Sequence, residues 1–133
     1  MADNPELDKP EIWLTLSTEK LAEAKDLLRL QHWRGTVSSA YFAMFYAAKA
    51  ALASVGVAVH KHKGIGSNLS EHFVKTGVLD QDYNRLLMQA MRAREISDYD
   101  PHETITESGA QQAVANAEKF VVAIEKIIAE ASA

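Results

Sequence analysis

The sequence predicts an all-α protein, a bundle of helices around one hydrophobic core. Apolar residues recur at spacings of three and four through its long segments, which is the period of a helix with one buried face. No segment shows the alternation of apolar and polar residues that is typical of a half-buried strand. With 133 residues, the chain is long enough for one domain that buries a sizeable core.

The N-terminal part predicts an irregular arm followed by the first helix. Residues 1 to about 12 are mostly polar and contain Pro5 and Pro10. We therefore expect an irregular N-terminal arm over residues 1–16 and a helical domain over residues 17–133. The first helix is expected to begin after Ser17 or Thr18, because either hydroxyl can cap the free amide groups of a first turn. Its apolar face is formed by Leu21, Ala24, Leu27 and Leu28.

The second helix is expected from Thr36 to Val55, after Trp33 and Gly35 close the first segment. It is apolar on nearly all sides, which predicts burial by bundle neighbours or by a second subunit. We therefore expect a homodimer whose interface includes part of this helix. Its aromatic residues are interpreted as core and not as a surface on which bases stack. They are Tyr41, Phe42, Phe45 and Tyr46.

Three further helices complete the expected bundle. Gly56 ends the second helix, and a short helix is expected over Ser67–Thr76, stopped by the glycine that follows. A fourth helix is expected over Asp80–Ser97, with the aspartate as its cap, and Pro101 prevents its easy continuation. The last helix, Thr106–Ala131, shows one apolar face.

Composition excludes several classes of protein. The chain has no cysteine, so it has no disulfide framework and no thiolate nucleophile. Its first residues lack the basic stretch and apolar core of a signal peptide, and no apolar run approaches the length of a membrane span. We therefore expect a soluble, cytoplasmic protein without a membrane partner.

The charge distribution is uneven. The net charge is −4, but residues 34–99 hold eight basic and five acidic side chains, so the middle of the chain is mildly basic. A mildly basic segment could bind phosphate, although strong nucleic-acid binders have their basic residues clustered on one face. Taken alone, this pattern favours a solvated surface over RNA binding.

Two charged residues fall on the apolar stripe of the fourth helix. Arg94 and Asp98 lie near the middle of the line that the helix otherwise fills with apolar side chains, whereas Arg92 points the opposite way. A charged side chain that is partly removed from water must form an ion pair or serve a function. Because ion pairs contribute little to stability compared with apolar residues at the same positions, a specific role is favoured for Arg94 and Asp98.

Three ordered segments resemble a known family. Ser38–Leu52 reads SSAYFAMFYAAKAAL, His60–Leu79 reads HKHKGIGSNLSEHFVKTGVL, and Arg92–Asp100 reads RAREISDYD. They resemble the HEPN domain family of prokaryotes, in particular a subgroup with a KHxG loop and an RxxxDY motif. The resemblance implies an up-and-down bundle of four or five helices, commonly paired into dimers with the motif-bearing helix lining the cleft between subunits. Many members are metal-independent ribonucleases of toxin–antitoxin and defence systems, and others accompany a small nucleotidyltransferase.

The chain departs from the catalytic pattern of that family, in which four to six residues separate an arginine from a histidine. Here Tyr99 stands at the first of those positions after Arg94, and His102 comes too late and after a proline. We therefore expect a nucleotide- or RNA-binding or interaction module, with a nucleotidyltransferase as a candidate partner. The alternative is a divergent endoribonuclease in which Arg94 stabilises the developing charge, Tyr99 orients phosphate or donates a proton, and Asp98 fixes Arg94. A structural network of the same three residues, which anchors the helix end or the dimer contact, also explains the motif.

The KHxG loop is the second candidate site. Lys61, His62, Lys63 and Gly64 are interpreted as an anion-binding loop, with Gly64 and Gly66 allowing close approach of a phosphate. The alternative is a solvated loop whose His62 is hydrogen-bonded to a neighbouring helix. We expect no metal and no cofactor. His60 and His62 lack a third ligand nearby, and the two lysines would repel a cation.

The two candidate sites are expected to meet. Arg94, Asp98 and Tyr99 should converge at the C-terminal end of the fourth helix and face a cleft near the Lys61–Gly64 loop. Because Tyr99 lies about 100° further round the helix than Asp98, we expect it to join them only if the helix loosens before Pro101.

Overall fold

The computed structural model describes residues 9–59 and 61–132, and these form an all-α bundle, as the sequence predicts. No strand occurs among them. The main helices are α1 (Pro10–Arg29), α2 (Trp33–Ala53), α3 (Ile65–Leu69), α4 (Gln81–Tyr99) and α5 (Glu107–Ser132). A 3-10 turn at His62–Gly64 precedes α3, and a π-helical turn at Ser70–Val74 follows it.

The first helix begins earlier than expected. Pro10 stands in its first turn, where the fixed backbone angle and missing N–H of proline suit a helix start. The expected start after Ser17 or Thr18 is therefore wrong, and residues 10–16 are helical. Ser17 is buried in the middle of α1, where its hydroxyl donates to the backbone oxygen of Ala43 at 2.7 Å and ties α1 to α2.

The second helix is the centre of the core. It begins at Trp33, so the prediction that Trp33 and Gly35 close the preceding segment is wrong, and thirteen of its residues are buried within one chain. Small side chains on α2 permit this close packing by α1 and α5. Neighbouring helices of the same chain therefore bury most of α2, so its apolar surface does not by itself require a second subunit. Tyr41 and Phe45 are core residues as predicted, whereas Phe42 and Tyr46 are half-buried.

Packing of the segment that contains α3 requires a glycine. Gly66 is buried against α4, and a Cβ at this position would lie 2.5 Å from Sδ of Met88. Gly64 adopts an ordinary φ of −87°. The interpretation of Gly66 as a flexible position that admits phosphate is therefore wrong, because its missing side chain makes room for a neighbouring helix.

Caps fix the two long C-terminal helices. The Asp80 carboxylate accepts from the backbone N–H of Asp82 at 2.8 Å, which confirms the predicted cap of α4. Thr106 does the same for α5, since its Oγ1 accepts from the N–H of Gly109 at 3.0 Å. No helix in the described part of the chain is both long and apolar enough to cross a bilayer.

Candidate functional site

Arg94 and Asp98 form an ion pair one turn apart on α4. The arginine Nε lies 3.0 Å from the aspartate Oδ2, and the two side chains are 19% and 29% exposed. The Nε–H is not aligned for a hydrogen bond, so the contact is electrostatic. Ser38 on α2 donates a hydrogen bond of 3.4 Å to the same carboxylate oxygen. The spacing of four residues predicted this contact, and the structure confirms it.

Three aromatic rings surround the Arg94 guanidinium. Its Cζ lies 5.2 Å from the ring centroid of Phe42, 5.5 Å from that of Tyr99 and 5.9 Å from that of Tyr41. Rings at these distances attract a cation through their π faces. Tyr99 is 72% exposed and remains within α4, so the expected loosening of the helix before Pro101 is wrong. Its long side chain reaches Arg94 from a regular helix because helical side chains lean towards the N-terminus.

His62 lies against the same rings. Its Nδ1 is 2.7 Å from the hydroxyl oxygen of Tyr41, and its ring stacks on Phe45 with centroids 4.1 Å apart. Partial burial lowers the pKa of His62, and the positive charges of Arg94 and Lys49 lower it further. Burial raises the pKa of Tyr41 to about 12. The loop histidine therefore lies beside the arginine of α4, although no sequence spacing links the two.

The remaining loop residues are arranged differently. Lys61 and Lys63 are exposed, whereas the Gly64 carbonyl is turned towards α3 and accepts from the Asn68 amide at 2.8 Å. His60 lies outside the described residues. Among residues 9–59 and 61–132, no group of three or more His, Cys, Asp or Glu side chains is placed to hold a metal ion.

Arg34 supports the end of the helix that carries the site, a contact that the sequence did not predict. Its guanidinium donates to the backbone oxygens of Ser97 at 2.8 Å and Asp100 at 3.0 Å, and also to that of Glu103. These contacts satisfy carbonyl groups that the end of α4 leaves unpaired. Because Arg34 lies more than sixty residues before its acceptors, no local pattern in the sequence could reveal the contact.

An aromatic strip, defined as the half-buried rings of Trp13, Phe42 and Tyr46, continues from the site along α1 and α2. The Trp13 and Tyr46 rings stack with centroids 5.8 Å apart, and Phe42 lies 6.0 Å from Tyr46. Lys49 places its Nζ 3.9 Å from the centre of the Trp13 ring. Arg94 therefore lies at one end of a partly open surface of rings and cations.

Comparisons with known proteins agree with this architecture. The HEPN domain family matches residues 10–127. A UPF0332 protein of Thermotoga maritima is 30% identical over 118 residues, which cover 89% of both proteins. A protein of Methanocaldococcus jannaschii named "Putative toxin MJ0605" is 31% identical over 117 residues, 88% of this chain and 87% of that protein. A UPF0332 protein of Archaeoglobus fulgidus is 30% identical over 115 residues, 86% of this chain and 91% of its own. The chain belongs to the HEPN domain family.

Proposed function

We propose that this HEPN domain binds the phosphate of a nucleotide or of single-stranded RNA at the Arg94 site, defined as Arg94, Asp98, Tyr99 and His62. The arrangement of Arg94 carries the proposal. Asp98 fixes its Nε end at 3.0 Å, the rings lie around its guanidinium, and the side chain remains 19% exposed. A guanidinium held in one orientation is well suited to phosphate, because its donors match two phosphate oxygens at once.

The exposed ring of Tyr99 favours a nucleotide over a simple anion as the ligand. Its ring is 72% exposed and lies 5.5 Å from the Arg94 guanidinium. Bases stack on exposed aromatic side chains while a neighbouring cation holds the phosphate. A phosphate at Arg94 would therefore leave its nucleoside within reach of a ring.

Nearby charges support an anionic ligand. Exposed Lys61 and Lys63 flank His62, and Lys49 is close enough to lower the pKa of that histidine. Cations concentrated on one side of a chain of net charge −4 make that side locally attractive to phosphate. Binding through such contacts weakens as salt rises, because it releases counterions from the nucleic acid, and this release gains less entropy when the solution already holds more salt.

A divergent metal-independent endoribonuclease remains the alternative function, with Arg94 and Tyr99 acting on the RNA backbone. A guanidinium has no free lone pair to accept a proton, and a neutral phenol accepts one only weakly, so neither residue supplies a strong general base. The geometry therefore supports binding better than cleavage.

The assembly that we propose is a homodimer through the aromatic strip, which would bring two Arg94 sites to one cleft. The strip supports this because its three rings are the partly uncovered side of α1 and α2 next to the site. We also propose a role in a toxin–antitoxin-like or defence system, with a nucleotidyltransferase as partner protein. The toxin name of a relative that spans 88% of this chain supports the first part of that proposal.

Binding of a labelled single-stranded RNA, followed by fluorescence anisotropy at several salt concentrations, tests the proposed function. We expect binding that weakens with salt and with Tyr99→Ala, and that Val122→Ala leaves unchanged, because Val122 is 60% exposed on another helix. Absence of binding at low salt would contradict the proposal. The same samples on a denaturing gel test the alternative, since RNA cleavage that Arg94→Ala abolishes and Tyr99→Phe weakens would favour an endoribonuclease.

A further inference from the structure

The buried hydroxyl of Tyr41 forms one hydrogen bond that determines the state of His62. Tyr41 is 0% exposed, and its hydroxyl oxygen lies 2.7 Å from Nδ1 of His62. Stacking on Phe45 at 4.1 Å and an edge contact with Phe42 at 5.6 Å fix the orientation of the imidazole. The ring therefore has one nitrogen directed at Tyr41 and the other free to meet a ligand.

The direction of this hydrogen bond follows from the surroundings of Tyr41. Within the described part of the chain, the Tyr41 hydroxyl has no second hydrogen-bond acceptor. A buried O–H group without an acceptor costs about 1–3 kcal/mol. Tyr41 must therefore donate its proton to Nδ1, which accepts with its lone pair. A neutral imidazole that accepts at Nδ1 carries its single proton on Nε2.

Burial and two nearby cations oppose the protonation of His62. Lys49 acts on the ring from α2 and Arg94 acts on it from α4, while Lys61 and Lys63 flank it in its own loop. The carboxylates near this cluster are Asp98, which is paired with Arg94, and Glu95, whose charge acts on Tyr41. A proton on Nδ1 would point at the Tyr41 hydroxyl and force that group to turn from its acceptor. Burial and the Arg94 and Lys49 charges lower the pKa of His62 accordingly.

The free nitrogen is accessible. Nε2 makes no hydrogen bond with the described residues, and it is not among their buried unpaired polar atoms. We infer that Tyr41 is a positioning residue that holds His62 as the neutral Nε2–H tautomer, so that His62 donates one hydrogen bond to an anionic oxygen of the ligand at Arg94. The ligand in this inference rests on the proposed function, whereas the tautomer does not. A nitrogen that carries a proton cannot take one, so His62 in this state binds and does not act as a general base.

The tautomer can be measured without any ligand. Long-range proton–nitrogen correlation NMR on the full chain with nitrogen-15 histidine distinguishes a protonated Nε2 from a protonated Nδ1, and His62→Gln assigns the signals by their loss. We expect a protonated Nε2 and an accepting Nδ1 at neutral pH. A protonated Nδ1 would overturn the inference, whether or not the protein binds RNA.

Two tyrosine variants then test the positioning role. Tyr41→Phe should give a mixture of His62 tautomers, a higher pKa of His62 and about fivefold weaker binding of labelled single-stranded RNA, the fold-change expected for one neutral hydrogen bond. Tyr83→Phe is the matched control, because Tyr83 is half-buried but packs against Phe120 and not against His62. Unchanged tautomer and affinity in a folded Tyr41→Phe protein would overturn the positioning role. If the wild-type tautomer is as expected but no RNA binds, the proposed function fails and the inference about Tyr41 and the tautomer stands.

Discussion

Asp98 holds Arg94 across one turn of α4, with 3.0 Å between its Oδ2 and the arginine Nε. The pair is neither fully buried nor fully exposed, since its side chains are 19% and 29% accessible. Exposed ion pairs contribute about 0–1 kcal/mol, whereas removing one partner of a buried pair costs about 3–5 kcal/mol. The contribution of this pair to the free energy of unfolding therefore lies between these limits.

Arg94→Ala should lower the free energy of unfolding by about 1–3 kcal/mol, because it leaves the half-covered Asp98 carboxylate without its cation. Chemical denaturation followed by circular dichroism measures this. Arg92→Ala is the matched control, since Arg92 lies on the same helix and is exposed. Equal stability of the two variants would show that the ion pair does not stabilise the fold.

The stability of the protein should depend on pH through His62. Its folded pKa lies below the ordinary value of 6.5, so the unfolded chain binds a proton at this residue more readily. The stabilising contribution is complete above the ordinary pKa and is lost as the pH falls through the folded pKa. We expect the free energy of unfolding to fall as the pH is lowered from neutral through 6.5.

Denaturation of His62→Gln should show a smaller fall over the same pH range, whereas His102→Gln, at an exposed position, should follow the wild type. Glu71 does not contribute to the change over this pH range, because its contact with Lys75 lowers the pKa of the Glu71 carboxyl from an ordinary value of 4.5. A fall that is identical in His62→Gln and the wild type would contradict the assignment to His62.

Gly66→Ala should destabilise the protein by about 1 kcal/mol, since the flexible Met88 side chain must shift away from the new methyl group. Gly64→Ala is the control, because a Cβ there meets its neighbours no closer than 3.5 Å. We expect neither change to weaken RNA binding. Loss of binding with normal stability in Gly66→Ala would restore the interpretation of this glycine as a close-approach position for phosphate.

The proposed dimer predicts a charge-sensitive interface on the aromatic strip. The wild type should sediment as a dimer at micromolar concentration, and Tyr46→Glu should sediment as a monomer, because a carboxylate would be buried among rings. Val122→Glu should leave the dimer intact. A monomeric wild type would remove the dimer proposal.

Sequence reasoning succeeded where the determinants are local. The contact of Arg94 with Asp98 and the cap at Asp80 each depend on residues within one helical turn, so spacing alone predicts them. The start of α1 was wrong for a related reason. Two local signals competed there, and Pro10 in the first turn outweighed the capping ability of Ser17, which packing against α2 buries.

Contacts between distant parts of the chain were beyond the reach of such reasoning. Tyr41 meets His62 across 21 residues, and Arg34 meets Ser97 across 63. Neither pair follows a helical period, because the first depends on how a loop folds over α2 and the second on how α4 ends. The sequence analysis expected Arg94 to face the Lys61–Gly64 loop, and Arg94 and His62 do contact the same rings of Tyr41 and Phe42. The individual contact of His62 with Tyr41 is visible only in the tertiary structure.

The affinity of Arg94→Ala for labelled single-stranded RNA, compared with Arg85→Ala, tests the central claim most directly. Arg85 lies on the same helix, where it is 64% exposed and paired with Asp82. Loss of a fixed, charged donor pair should weaken binding about tenfold or more in Arg94→Ala, while Arg85→Ala stays close to the wild type. Both proteins are compared by anisotropy at a temperature where each is folded. Binding by Arg94→Ala that equals binding by Arg85→Ala would contradict the assignment of Arg94 as the phosphate-binding residue.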